Sequence, residues 1–232
     1  RKEACDEGLI DPATNKAFTS ADYQPLQWSP YLEGVAQMRA CEGMVRLGHT
    51  RPNDTKWSTC YSSSGYGYRF EDLAWNWNKS TAAIKYGIQQ WYAEKSDYVN
   101  NKQGAVVGHY TSMISSNSRY IGIGCFDITN DTSSWVCVAG ELASTDVTRD
   151  SDRVTQGTYE QKTEVLKSSI TKISAGDDVT LSLNGTKKLT LTADIYYSES
   201  SRVNTVNGAK VYGDVSWKSS DSSVATISQD GL

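Results

Sequence analysis

The residues best suited to building a chemically active core are gathered at one end of this 232-residue chain. Six of the seven tryptophans (Trp28, Trp57, Trp75, Trp77, Trp91, Trp135), both histidines (His49, His109) and all five cysteines (Cys5, Cys41, Cys60, Cys125, Cys137) precede residue 140, and only Trp217 follows. One chain therefore holds two compositions. The length suits roughly one and a half to two domains, so an aromatic-rich first unit and a second unit of different make-up are expected.

Composition excludes several classes. At 38% hydrophobic and 22% charged the chain is neither disordered nor fibrous. Its apolar runs extend for only a few residues, far short of the about 20 that cross a bilayer, so no transmembrane segment is expected. A net charge of −4 with Lys and Arg spread along the chain argues against nucleic acid or an anionic membrane as partner.

Trp28-Ser29-Pro30 supplies an N-cap and a proline at the first helical position. Leu32, Val35, Ala36, Ala40, Gly43 and Leu47 then recur at steps of three and four, predicting a helix that ends at Gly48, with His49 just beyond it. A loop over residues 50–70, including a tyrosine-rich stretch at 61–68, and a short segment from Phe70 to Trp77 follow. Ser80 can cap a second helix with Ile84, Gly87, Ile88, Trp91 and Lys95 on one stripe. Glu94 lies at the edge of that stripe, about 60° from Trp91. Tyr120–Asp127 and Trp135–Gly140 read as an antiparallel hairpin around Asn130 and Asp131. Cys125 and Cys137 sit on its two arms, as a cross-strand disulfide or as two buried thiols.

Residues 143–167 read as a linker with a short helix around Tyr159–Leu166. From there on, runs rich in Val, Thr, Leu and Ser (Val179–Leu183, Leu189–Tyr197, Val211–Trp217, Val224–Ile227) alternate with turn residues, the pattern of a small β-sandwich.

Taken alone, a histidine at a helix end is more often packed or paired than functional. Glu71 on its own reads as a helix-start carboxylate and Glu94 as a partner of Lys95. Ser112 and Thr111 stand beside His109, but neighbouring residues rarely aim at each other and no orienting third group is apparent, which disfavours a nucleophile there.

Five stretches carry more: Gly48-His49-Thr50-Arg51-Pro52-Asn53, Glu71-Asp72-Leu73-Ala74-Trp75-Asn76, Trp91-Tyr92-Ala93-Glu94-Lys95, Gly108-His109-Tyr110-Thr111-Ser112-Met113-Ile114 and Gly122-Ile123-Gly124-Cys125. In this order they resemble the landmarks of the CAP superfamily, which groups cysteine-rich secretory proteins, venom antigens and plant pathogenesis-related proteins. The resemblance covers residues 1–142 and implies an α+β domain, an α-β-α sandwich, whose cleft holds His49, Glu71, Glu94 and His109. It further implies a divalent cation such as zinc on His49 and His109, with Glu71 and Glu94 as general base or as orienting partners of the imidazoles. The family commonly has Gln or Asn where Ser112 stands.

Residues 168–232, through Trp217-Lys218-Ser219-Ser220-Asp221-Ser222-Ser223-Val224-Ala225-Thr226, resemble bacterial immunoglobulin-like domains, here cut short after Gly231-Leu232. Together the resemblances imply a secreted or cell-surface protein. Its cleft takes an extracellular ligand (lipid, peptide or glycan), and its second domain is a spacer or adhesive module. A metal-dependent extracellular hydrolase and a small-ligand carrier with a structural tetrad are the competing readings.

Overall fold

The computed structural model describes residues 1–60, 70–78, 82–127, 135–145, 163–176, 178–189, 192–200, 202–207 and 218–227. The chain divides into two compact units, Arg1–Arg51 with Thr55–Thr163, and Pro52–Asp54 with Glu164–Leu232.

The first unit contains five helices among the described residues: α1 (Lys2–Asp6), α2 (Pro30–Val45), α3 (Ala82–Ala93), α4 (Lys95–Val99) and α5 (Gly108–Ile114). Its sheet is built from β1 (Gln27–Trp28), β2 (Phe70–Asn76), β3 (Tyr120–Phe126) and β4 (Val136–Ala143), in the order β1-β3-β4-β2. β1 runs parallel to β3, and the other pairings are antiparallel. The expected hairpin is therefore present, with β4 continuing past Gly140 to Ala143.

α2 starts where the sequence places it, with the Ser29 hydroxyl accepting from the Leu32 amide and Pro30 at the first position. It ends at Val45 rather than Gly48. Gly48, at φ +111°, takes the left-handed turn that redirects the chain into His49.

Helices cover both faces of the sheet. On one face Ala36, Ala40 and Met44 of α2 pack on Leu73, Cys137 and Ala139. On the other, Ala83 and Trp91 of α3 pack on Ala74, Val136 and Val138. α3 buries Ala83, Gly87 and Trp91, with Ile84 partly buried against the same cluster, whereas Ile88 is exposed, so the stripe read by periodicity holds except at Ile88, whose place is taken by Ala83. Ser80, the expected cap, lies outside the described residues.

Strand register decides the cysteine question. Phe126 pairs with Cys137, and Cys125 pairs with Val138, so the two thiols point to opposite faces of the sheet. No cross-strand disulfide can form, and all five cysteines are free. Burial holds the Cys41 thiol up at about 12 and Cys125 at about 11.

In the second unit β5 (Ile170–Ser174), β6 (Thr192–Tyr197) and β7 (Arg202–Asn207) form one antiparallel sheet in that order. Of the strands expected there, only the C-terminal part of Leu189–Tyr197 is observed. Val179–Leu183 and Val224–Ile227 form no strand, and their apolar side chains stand in solvent, Leu183 94% and Val224 81% exposed. Val211–Trp217 lies outside the described residues, as do Asn130, Asp131, the 61–68 stretch and the first half of the expected helix at 159–166. Residues 163–166 are not helical.

The two outer layers differ in how closely they approach the sheet. A Cβ on Gly122 would lie 2.0 Å from the Glu33 nitrogen, and one on Gly124 would lie 2.3 Å from the Gln37 nitrogen, both α2 backbone atoms that cannot swing aside. Gly122→Ala is therefore expected to cost about 3 kcal/mol, the upper range for overpacking, seen as a lower urea midpoint. Gly34→Ala, where an added Cβ meets nothing within 4 Å, should instead be neutral or gain up to about 1 kcal/mol.

Candidate functional site

His49 leaves α2 beside the first residues of β2, and its Nδ1 lies 2.7 Å from Glu71 Oε1. Glu71 sits within strand β2, not at a helix start, and its carboxylate is fully buried while the imidazole is 54% exposed. The carboxylate is held from behind by Arg39 of α2. The guanidinium donates through Nε to Glu71 Oε2, and through Nη2 to Oε1 at 3.3 Å.

His109 forms a second pair of the same kind. Its Nδ1 lies 2.6 Å from Glu94 Oε1, and Glu94 Oε2 accepts from the amides of His109 (3.0 Å) and Tyr110 (3.1 Å). Glu94 therefore caps the first turn of α5, whose amides have no partner within the helix, and fixes the ring of the residue it caps. Lys95 pairs instead with Glu3 and Glu7. The His109 ring also stacks on Trp91, centroids 6.5 Å apart.

In both pairs the carboxylate meets Nδ1, which selects the Nδ1–H tautomer and leaves Nε2 with its lone pair. Among the described residues neither Nε2 has a hydrogen-bond partner. Both pairs are tied to adjacent residues of β2. Glu71 holds His49 on the α2 face, and Asp72, on the opposite face, hydrogen-bonds the Ser112 hydroxyl at 2.5 Å, which also lies 2.7 Å from the His109 carbonyl. Ser112 is thus spoken for and is no nucleophile toward His109. Burial, with the charges of Glu94 and Glu71, pushes the Asp72 carboxyl well above the carboxylate range.

Several charged residues beneath the His49 pair escaped the sequence reading. Arg39 also bonds Glu42, and Glu42 accepts from Arg51 at 2.8 to 3.1 Å and from the Thr163 hydroxyl at 3.0 Å. Glu141 faces Glu71 across the β2–β4 pairing and is fully buried. Among the described residues no donor reaches either of its oxygens. Burial first, then the Glu71 charge, pushes the Glu141 carboxyl well above its ordinary range, against the opposing pull of Arg39. The signal available was Arg39-x-x-Glu42 on a helix whose C-terminal half has no exposed face.

No group of three or more His, Cys, Asp or Glu side chains among the described residues is arranged to enclose a metal ion. No described helix is long and apolar enough to cross a membrane. A sheet covered on both faces by helices, with two histidine–glutamate pairs tied to the start of one strand, defines the class of domain. The sequence model of the cysteine-rich secretory protein (CAP) family matches residues 13–139, over half of the chain, and the protein belongs to that family. No curated protein matches the chain at the level that would mark a relative.

Glu141 binds its proton more tightly folded than unfolded, so its contribution to stability is full below the ordinary carboxylate range and is lost as pH rises from there through the raised value of the folded state. Glu141→Gln keeps a donor toward Glu71 without that penalty. The variant should gain on wild type by about 1 kcal/mol or more at about pH 7 in urea unfolding, with the difference shrinking toward about pH 4.

Proposed function

We propose that the CAP domain presents the two imidazoles in one cleft as a binding site for a divalent cation such as zinc, and through it for an extracellular ligand. The observation that carries this reading is the matched geometry of the pairs: each Nδ1 is engaged by an immobilised glutamate, which orients the ring and leaves Nε2 as donor. The donor set fits such a group. Two neutral imidazoles, with water completing the shell, make an open site of modest affinity rather than a closed structural one. A cation held there would offer ligand oxygens a Lewis-acidic position.

The same contacts favour binding over hydrolysis. All four oxygens of Glu71 and Glu94 are already engaged, by His49 and Arg39 in one case and by His109 and the α5 amides in the other. Every oxygen of the two carboxylates already accepts from a fixed partner, so each glutamate is committed to holding its imidazole. Their role is to orient the imidazoles. A secreted or cell-surface location, in keeping with the family's description, and, for the second unit, an immunoglobulin-like identity with a spacer or adhesive role belong to the same proposal.

Calorimetric titration with zinc at about pH 7 tests it, because the imidazoles must be neutral to bind. Wild type should bind one equivalent. His49→Ala and His109→Ala should each abolish binding, and Glu71→Gln should weaken it about 10- to 100-fold. A wild-type protein that takes up no zinc or other divalent cation would end this reading.

A further inference from the structure

Arg39 touches neither imidazole, yet both holds on His49 lead to it. Its Nε and Nη2 grip the two oxygens of Glu71, the carboxylate that meets His49 Nδ1. Nη2 also donates to the backbone carbonyls of Gly48 (3.3 Å) and His49 (3.5 Å), the turn that carries the ring. Through Nη1 it binds Glu42, which in turn clamps Arg51 two residues beyond His49. Only a planar fork of several donors can serve a carboxylate, a second carboxylate and two carbonyls at once, and an ammonium group lacks that geometry.

We infer that Arg39 is the positioning residue of His49, acting through Glu71 and the Gly48–His49 backbone to keep the imidazole in its Nδ1–H tautomer with Nε2 free. This deepens the cation-binding reading, from which it takes only the purpose of the free nitrogen. Glu71 is fully buried and faces Glu141. Without the fork, Glu71 loses the donors that fix both of its oxygens and the Gly48–His49 turn loses its side-chain anchor, so the contact that selects Nδ1–H on His49 is no longer held in place. His109 is held differently: Glu94 is fixed by backbone amides, with no arginine among the described residues involved.

The chain has only two histidines, so long-range nitrogen–proton NMR on the metal-free protein at about pH 8.5, above the ordinary imidazole range, reads both tautomers separately. Wild type should show Nδ1–H at both. Arg39→Met should lower the His49 ratio of Nδ1–H to Nε2–H by about tenfold, the low end of the cost of losing an orienting partner, and leave His109 unmoved. Arg39→Lys, which keeps the charge but not the fork, should give a smaller shift at His49 alone. An unchanged His49 tautomer in Arg39→Met overturns the inference, and so does an equal shift at both histidines, which would signal general loosening. Should Arg39→Met fail to fold, Arg39→Lys decides by the same criteria. Because no metal is present, a wild type that binds no zinc yet shows the His49-specific shift removes the cation reading alone, and zinc binding with an insensitive tautomer removes this inference alone.

Discussion

A guanidinium with no access to water must be surrounded by acceptors, and the burial of Arg39 sets the terms for much of the first unit. Two arginines, Arg39 and Arg51, face two carboxylates, Glu42 and Glu71, so the charges balance. Glu141 enters the same space, and burial with the Glu71 charge pushes its carboxyl well above the ordinary range, because a third anion there would go uncompensated. Breaking such a set by removing one member typically costs about 3–5 kcal/mol, more than most surface ion pairs contribute. The arrangement requires α2 to lie hard against the sheet. Gly122 and Gly124 allow that approach, and Gly122 is the β3 neighbour of Glu141. Layer spacing and charge balance are thus one constraint met by two kinds of residue.

The alternation of a strand explains how two histidines far apart in sequence answer to one element. Successive side chains of β2 point to opposite faces, so Glu71 reaches the α2 layer and Asp72 reaches the α5 layer. Glu71 fixes His49 directly. Asp72 engages Ser112, one turn beyond His109 on α5, while Glu94 fixes the ring. Shifting β2 by one residue would exchange the two faces and undo both attachments, which ties the register of the β2–β4 pairing to the chemistry of the cleft.

What the sequence made legible was local. The start of α2 could be read because a serine cap and a proline act within one turn, and the hairpin could be read from alternation in two neighbouring runs. Register is a property of two strands together, so Cys125 and Cys137 looked bridgeable until their pairing partners were known. Val179–Leu183 and Val224–Ile227 form no strand because Val and Thr enrichment marks strand propensity without naming a partner, and Leu183 and Val224 found none among the described residues. His49, His109, Glu71 and Glu94 came from family resemblance, since a lone histidine carries little information by itself. Arg39, Glu42 and Glu141 stayed hidden because periodicity treats a charge as a solvent-facing residue, and only tertiary structure shows which charges have partners.

The two imidazoles are oriented by different physics, and the difference follows exposure. His109, 23% exposed, stacks on buried Trp91 and stands in the first turn of a helix capped by its own glutamate. Packing and local backbone define it, and these survive changes in salt or in distant charge. His49, 54% exposed, is anchored through Nδ1 to a buried carboxylate. An exposed ring can be held this way only if the charge beneath it is rigid, which is what a carboxylate locked by a buried guanidinium supplies. Anchoring through one atom leaves the rest of the His49 ring open to an incoming group, whereas the stacked His109 ring is already covered on one face. The pair therefore combines an open partner and an enclosed one, and the open partner is the one whose orientation depends on charge.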